Sequence, residues 1–256
     1  MLPLMQSEWE RMWKRKKTVV SLIIFAAVIV FDCLFLKMQM IGAFDTVRSV
    51  PLNAQNFSVF LLKEVSFILT LIIGPLLMID SLNSENTSGQ LRLVLIRPIT
   101  FSKLFLAKWL TLAIMLMIFT CLTFLIGEVA GHLGLPNVAH VTFLNPNRSY
   151  DQWGAFNYSL QSYGLFYLII LAELSVVSLI CTIMPNSIIS YFIWIGVIVG
   201  GLYLTDMMSF FLLSASTIFK LLAGSYKEYF YLPVLGCLGG GFLATMFIWN
   251  KKNWSK

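Results

Sequence analysis

Few side chains in this sequence lie where they could do chemistry, and the first candidates are ionisable residues inside apolar segments. Glu173 lies near the middle of one such segment, LIILAELSVVSLI. A charged carboxylate at the centre of a bilayer costs about 2.5–3.5 kcal/mol on insertion scales, so we expect Glu173 to be neutral, paired or facing a polar cavity. Asp32 and Glu128 lie toward the ends of two other apolar segments, where hydration is possible without a function. All three are candidate pathway residues, and a purely structural hydrogen-bonding role stands beside that interpretation.

The residue patterns of common catalytic and metal sites do not occur in this sequence. There is no GxxxxGK[ST] loop, and the glycine cluster at 236–241 lacks the Lys-Ser/Thr pair that such a loop needs. Close packing between helices is the stronger interpretation of that cluster. His132 and His140 are too far apart for an HExxH pair, and the cysteines lack CxxC spacing. We therefore predict that this chain has no catalytic residues, no metal, no cofactor and no ATP site of its own.

The composition identifies the class of protein that must position these residues. Hydrophobic residues make up 58% of the 256 positions and charged residues only 12%, and the mean hydropathy is +0.82. Soluble domains are typically about 45–50% apolar and about 25% charged. Apolar runs of about 20 residues, long enough to cross a bilayer as helices, recur along the whole chain. The sequence predicts one all-α integral membrane domain over residues 1–256, without a separate soluble domain.

Six such runs are predicted to cross the membrane. They are Thr18–Leu36, Phe57–Ile79, Leu106–Gly127, Tyr163–Met184, Ser187–Leu204 and Pro233–Trp249.

The distribution of basic residues predicts the orientation of these spans. With a cytoplasmic N-terminus, twelve of the 18 Lys and Arg residues lie in cytoplasmic segments, in agreement with the positive-inside rule. A seventh span over Met207–Ala223 would move the lysine-rich tail Asn250–Lys256 to the outside. We therefore predict six spans, both termini in the cytoplasm, and a re-entrant or interfacial helix pair over residues 205–229. The net charge of +6 is explained by these flanks, so nucleic acid is not needed as a partner.

The first 17 residues are predicted to form a helix at the membrane interface. The basic block Arg11–Lys17 suits contact with anionic lipid, and the apolar and aromatic residues before and within it suit burial in the bilayer surface. These apolar residues are Leu2, Leu4, Met5, Trp9, Met12 and Trp13. Residues 1–17 would then be an elbow that leads into the first span, with the lipid bilayer as their partner.

A polar segment with basic character, Asp80–Lys108, separates the second and third spans. Arg97-Pro98 should end a short helix that follows the turn-forming residues 83–89, because proline disfavours the helical conformation of the residue before it. Thr100 can cap the next helix. At helical spacing Leu91, Val94 and Leu95 share one face, which could enter a groove on a partner while Arg92 and Arg97 meet carboxylates at its rim. The alternative is a helix on the membrane surface without a partner.

The sequence ENTSGQLRLVLIRPIT at 85–100, followed by Lys103 and Lys108, resembles the cytoplasmic loop of type-2 ABC-transporter permeases. In that family an acidic residue, a glycine, a leucine-rich helix, a proline and a downstream lysine recur between the second and third spans. The resemblance extends to the interfacial first helix, the six spans, the broken apolar hairpin before the last span and the short basic tail.

The resemblance implies a half-transporter that pairs with a second permease copy and with two separate ATPase subunits, which carry ATP and Mg. The polar segment would be the coupling segment that docks into the ATPase cleft. Leu91, Val94 and Leu95 would form its contact face. Glu85 and Arg97 would be polar anchors, Gly89 would permit the turn, and Pro98 would set the break.

A large predicted outer loop, residues 131–162, departs from the family pattern. It is rich in aromatic residues, which leaves open an interaction with a peptide outside the cell: Phe143, Tyr150, Trp153, Phe156 and Tyr158. The leading functional hypothesis is an export permease of a bacterial plasma membrane that moves an antimicrobial peptide, an antibiotic or a lipid-like molecule. The alternatives are a membrane sensor or immunity protein without transport, and an ion-coupled secondary transporter centred on Glu173. Broken helices and inverted repeats of the kind found in secondary transporters are not evident.

Overall fold

The computed structural model describes residues 1–45, 48–87, 100–184, 186–204, 206–226 and 229–251, and within these ranges most of the chain is helical. A chain in lipid must satisfy its backbone hydrogen bonds within its own segments, which favours helices. The α-helices of these ranges are Leu2–Lys14 (α1), Lys16–Gln39 (α2), Phe57–Ile68 (α3), Gly74–Thr87 (α4), Phe101–Gly134 (α5), Gln152–Ile183 (α6), Ser187–Leu204 (α7), Ser214–Leu222 (α8) and Tyr231–Lys251 (α9).

Short elements of other kinds connect these helices. A π-helical turn, Leu69–Ile73, joins α3 to α4, and a 3-10 helix, Asp206–Phe211, precedes α8. Two antiparallel strand pairs lie in the connections between helices: Ile41–Ala43 (β1) with Ser49–Pro51 (β2), and Val141–Thr142 (β3) with Ser149–Tyr150 (β4).

Five helical stretches in the described ranges are long and apolar enough to cross a membrane. They are Lys16–Gln39, Phe57–Asn83, Phe101–Gly134, Gln152–Ile183 and Tyr231–Lys251. Each coincides with one of the predicted spans, so the all-α, multi-pass membrane architecture is confirmed. The remaining predicted span, Ser187–Leu204, forms α7, which is a shorter apolar helix. Its crossing of the membrane stays a prediction.

The second span contains a local change of helix type around Pro75. Proline has no N–H, so the carbonyl of Leu71, four residues earlier, loses its helical partner. The Tyr191 hydroxyl on α7 donates a hydrogen bond to that carbonyl at 3.0 Å, and the N–H of Gly74 reaches back to the Leu69 carbonyl to close the π turn. The hydrogen bond from Tyr191 to this irregular turn therefore connects the second span to α7.

The helices flanking the predicted outer loop 131–162 extend well into it. Helix α5 continues to Gly134 and α6 begins at Gln152, so only residues 135–151 lie outside helices. The ring of Phe143 stacks on that of Tyr158 with centroids 3.9 Å apart, and both side chains are buried. Trp153 is 76% exposed. Part of the aromatic content of this region therefore serves packing within the protein.

The segment predicted as a re-entrant helix pair, residues 205–229, contains two short helical pieces among its described residues, the 3-10 helix and α8. Helix α8 packs against α3 and α6, and Phe210, Ile218 and Phe219 are buried. The chain then turns at Gly224, whose φ of +73° favours glycine. Whether this segment is a re-entrant pair at the outer membrane surface remains a prediction.

Close packing of α9 along α6 depends on one member of the glycine cluster 236–241. A Cβ atom on Gly241 would lie 2.9 Å from the backbone carbonyl of Ser175 in α6. Gly236, Gly239 and Gly240 have no such neighbour within 4 Å. The packing interpretation of the cluster therefore applies to Gly241.

We expect Gly241→Ala to destabilise the protein and Gly240→Ala to leave its stability unchanged or raised. Alanine in a helix is favoured over glycine by about 1 kcal/mol, but at Gly241 the backbone of Ser175 must move to admit the methyl group. Thermal unfolding in detergent should show a fall of several degrees for Gly241→Ala alone, at about 2–4 °C per kcal/mol for a chain of this size. Equal midpoints for the two variants would contradict the packing assigned to Gly241.

Candidate functional site at the ends of the polar segment

The two ends of the polar segment Asp80–Lys108 lie within described helices. Helix α4 ends at Thr87 and α5 begins at Phe101, with Thr100 at the N-cap position that the sequence predicts, although its side chain makes no capping hydrogen bond. Glu85 lies in α4. The other predicted contact residues lie in 88–99, outside the described residues: Gly89, Leu91, Val94, Leu95, Arg97 and Pro98.

The first residue of the polar segment is held by the junction between α1 and α2. Nζ of Lys17 lies 2.8 Å from Oδ1 of Asp80. The guanidinium of Arg15 donates a hydrogen bond to the carbonyl oxygen of Asp80 at 3.0 Å and lies 3.6 Å from its Oδ2. Arg15 is the residue at which α1 ends and α2 begins, with an extended backbone. The start of the polar segment is thus fixed to the corner of the N-terminal helix pair.

The last residue of the polar segment is held by a buried ion pair to α1. Nζ of Lys108 lies 3.0 Å from Oε2 of Glu8, and the two side chains are 1% and 4% exposed. Arg11 approaches the other carboxylate oxygen of Glu8 at 3.3 Å. Buried charges are costly unless they are paired, so this pair specifies where α1 lies on α5.

A third contact joins this end of the bundle to the C-terminal helix. The hydroxyl of Ser102 is hydrogen-bonded to the side-chain oxygen of Asn250 at the end of α9. A small apolar cluster lies beside it, in which Leu104, Phe105 and Trp249 are buried. Helix α1, both ends of the polar segment and the end of α9 therefore meet at one end of the bundle.

Sequence reasoning missed two of the residues that build this arrangement, Glu8 and Asp80. It assigned Arg15 and Lys17 to lipid and Lys108 to the cytoplasmic count of basic residues, without the carboxylates that all three also bind in the structure. The available signal was the presence of isolated acids near these basic residues, Glu8 just before the basic block and Asp80 at the first position of the polar segment.

Glu173 lies in α6 and faces the π-helical turn of the second span. Its side chain is 1% exposed, and neither carboxylate oxygen has a hydrogen-bond partner within the described parts of the chain. Oε1 lies 3.7 Å from the position that a Cβ atom on Gly74 would occupy. The glycine therefore provides the space beside the carboxyl group.

Glu128 does not form a single site with Glu173. Oε2 of Glu128 lies 3.8 Å from Nε2 of His132, and the hydroxyls of Ser58 and Ser159 lie close to its carboxylate. Ser159 and Glu173 are 14 residues apart on α6, which corresponds to about 21 Å along the helix. Asp32 is buried in α2, and its Oδ2 has no partner among the residues described.

The part of the chain that the structure describes contains no group of three or more His, Cys, Asp or Glu side chains placed to hold a metal ion. The candidate functional site is the set of ion pairs at the ends of the polar segment, whose distances the structure defines. These pairs join α4 and α5, in which the ends of the segment lie, to α1 and to the start of α2.

Residues 4–201 match the family model described as "ABC-2 family transporter protein", which covers well over half of the chain and includes the polar segment and its flanking helices. The predicted resemblance to type-2 ABC permeases is confirmed. No curated protein matches the chain at a significant level.

Proposed function

Since this chain belongs to the ABC-2 transporter family and is a membrane subunit of an ABC transporter, we propose that it is the permease of an ATP-driven exporter. Members of this family normally work with a separate ATPase, and ATP hydrolysis with Mg would take place in that partner. The proposed assembly contains two permease copies, identical or homologous, and two ATPase subunits. We place it in a bacterial plasma membrane with both termini in the cytoplasm.

The observation that carries this proposal is the attachment of both ends of the polar segment to the N-terminal helix pair, α1 and α2. Lys17 and Arg15 bind Asp80 at one end, and Glu8 binds Lys108 at the other. A segment that receives force from a soluble partner needs fixed ends, because loose ends would absorb the displacement. The two ion-paired ends supply such fixed points.

Movement of the polar segment would reach the membrane helices along these contacts. Asp80 lies in α4, so its displacement would act on that helix and on the corner of α1 and α2. Lys108 lies in α5, so its displacement would act on that helix and, through Glu8, on α1. Nucleotide-driven closure of the ATPases would then tilt the two permease halves and open or compress a pathway between them. In this proposal Leu91, Val94 and Leu95 form the contact face toward the ATPase, with Glu85 and Arg97 as polar anchors.

The proposed cargo is amphipathic or hydrophobic, such as an antimicrobial peptide, an antibiotic or a lipid-like molecule. Supporting this, Glu128 lies near Ser159, and Ser159 is about 21 Å from Glu173 along α6, so the two glutamates do not provide one polar path for a small ion. The apolar character of the spans favours a substrate that partitions into the bilayer.

Purification of the tagged chain from its native membrane in mild detergent tests the proposal. The expected result is a copurifying ATPase subunit and ATP hydrolysis by the purified material. A chain that retains its cellular function and purifies from native membranes without any ATPase would instead support the sensor or immunity hypothesis.

The buried, unpartnered carboxyl group of Glu173 beside the π turn favours a second candidate, an ion-coupled transporter. It requires uptake or efflux driven by a proton gradient in vesicles without ATP, abolished by Glu173→Gln. Transport that needs ATP and persists in Glu173→Gln would leave the export permease as the function.

A further inference from the structure

A groove of about 540 Å³ opens on the side of the bundle between α2, α4 and α7. Its volume is within the range of about 300–1,000 Å³ that is usual for ligand sites. The groove walls include exposed apolar side chains of all three helices, among them Ile24, Leu76 and Phe192. Two of these helices belong to candidate spans, so the groove faces the region that lipid chains occupy.

The charged end of the groove is formed by the first residues of α2. Lys16 and Lys17 line it, and Asp80 of α4 lines it opposite them. Lys17 is paired with Asp80 but its side chain is still 79% exposed. Lys16 is exposed, and its side chain has no ion pair or hydrogen bond to another described residue. Two positive charges therefore face one negative charge, so the rim of the groove carries a net positive charge.

One face of α2 presents charged groups first and apolar groups further along the helix, which matches the charged head and apolar chain of an amphiphile. Lys16, Lys17, Val20, Ser21 and Ile24 all line the groove, and their spacing places them on one side of α2. Lys16 and Ile24 are eight residues apart, or about 12 Å along the helix axis. The site thus passes from cationic to apolar over the length of a lipid headgroup and the start of its chains.

We propose that this groove binds one anionic phospholipid of the adjacent leaflet. The phosphate lies at Lys16 and Lys17, and an acyl chain lies along Val20, Ile24 and the facing side chains of α4 and α7. Basic residues near a membrane surface attract anionic lipid, and the apolar walls select a molecule that also carries a hydrocarbon chain. This site does not depend on the direction of transport or on the presence of an ATPase.

The bound phosphate would lie next to Asp80, the first residue of the polar segment. It would share Lys17 with that carboxylate. The lipid would therefore contact the same fixed point that holds the start of the polar segment.

Native mass spectrometry of the purified full-length protein tests the site. Phosphatidylglycerol and phosphatidylcholine with identical acyl chains are titrated separately, and the retained lipid per chain is measured. We expect one tightly retained phosphatidylglycerol per chain. In the double variant Lys16→Gln/Lys17→Gln its affinity should fall about 30-fold, the effect expected from two basic residues at a membrane surface.

Two further variants separate this site from general surface attraction. Lys14→Gln removes an exposed cation of the same basic block that does not line the groove, and it should retain phosphatidylglycerol. Ser21→Phe fills the groove with both lysines intact and should lose it. If Ser21→Phe does not fold, as judged by gel filtration, Ile24→Trp takes its place.

Three results would overturn the proposal. The first is an equal loss of phosphatidylglycerol in Lys14→Gln and in the double lysine variant, which indicates diffuse attraction. The second is displacement of the lipid by inorganic phosphate, with Ser21→Phe unchanged, which indicates a simple anion site. The third is conversion of a dimer to a monomer by the groove variants with lipid retention unchanged, which indicates an interface between copies of the chain.

Discussion

Replacing Lys108 with methionine should lower the free energy of unfolding by about 3 kcal/mol. Removal of one partner of a buried ion pair typically costs about 3–5 kcal/mol, because the other charge is left buried without compensation. Here Glu8 would keep Arg11, 3.3 Å from its Oε1, so we expect the lower end of that range. At about 2–4 °C per kcal/mol for a chain of this size, the thermal midpoint in detergent should fall by about 6–12 °C.

Two control variants make this prediction specific to the ion pair. Lys103 is an exposed lysine of the same helix, and Lys103→Met should change the midpoint by little. The double variant Glu8→Gln/Lys108→Met should recover much of the loss, since it removes both buried charges. Equal midpoints for Lys103→Met and Lys108→Met, or a double variant less stable than Lys108→Met, would contradict the buried pair.

The double substitution Leu91→Asp/Leu95→Asp should reduce copurification of the ATPase at least tenfold. A helix that enters an apolar groove contributes its apolar face to binding, and two carboxylates on that face would have to lose their hydration without a partner. The measurement is the ratio of ATPase to permease after affinity purification.

A matched control places the same charges on the other side of the predicted helix. At helical spacing Leu93 and Ile96 point away from the face shared by Leu91 and Leu95, so Leu93→Asp/Ile96→Asp should retain more of the ATPase. Full retention in the Leu91→Asp/Leu95→Asp variant would show that the assignment of the coupling face is wrong. Equal losses in both pairs would show that general charge, and not one face, determines binding.

The spans were predictable because hydropathy over about 20 residues is a property of the local sequence. The ends of the spans were not predictable, because a helix continues past its apolar part wherever its backbone can keep forming helical hydrogen bonds. Helix α5 thus begins at Phe101, five residues before the predicted span at Leu106, and α6 begins at Gln152, well before Tyr163. The predicted outer loop is correspondingly shorter in the structure.

The ion pairs at the ends of the polar segment were beyond sequence reasoning. Glu8 and Lys108 are 100 residues apart and Lys17 and Asp80 are 63 apart. Each pair therefore depends on how the helices pack, which charge patterns along the chain do not reveal. Pro75 was a signal that the sequence analysis did not use: a proline inside a span leaves a carbonyl for another donor, here that of Leu71.

The glycine cluster illustrates the same limit within one helix. Its composition predicts close packing, but only the structure distinguishes Gly241, which lies against Ser175, from Gly240, which has no such neighbour. Which side of a helix meets another helix is a tertiary property.

The most direct test of the central claim is site-specific photo-crosslinking in the native membrane. The claim is that a separate ATPase drives this permease through the polar segment. A photoreactive amino acid at Leu91 should form a covalent adduct with the ATPase. The same group at Leu133, an 83% exposed residue near the opposite end of α5, should form none. An ATPase adduct from Leu133, or none from Leu91 while the ATPase still copurifies, would contradict the account.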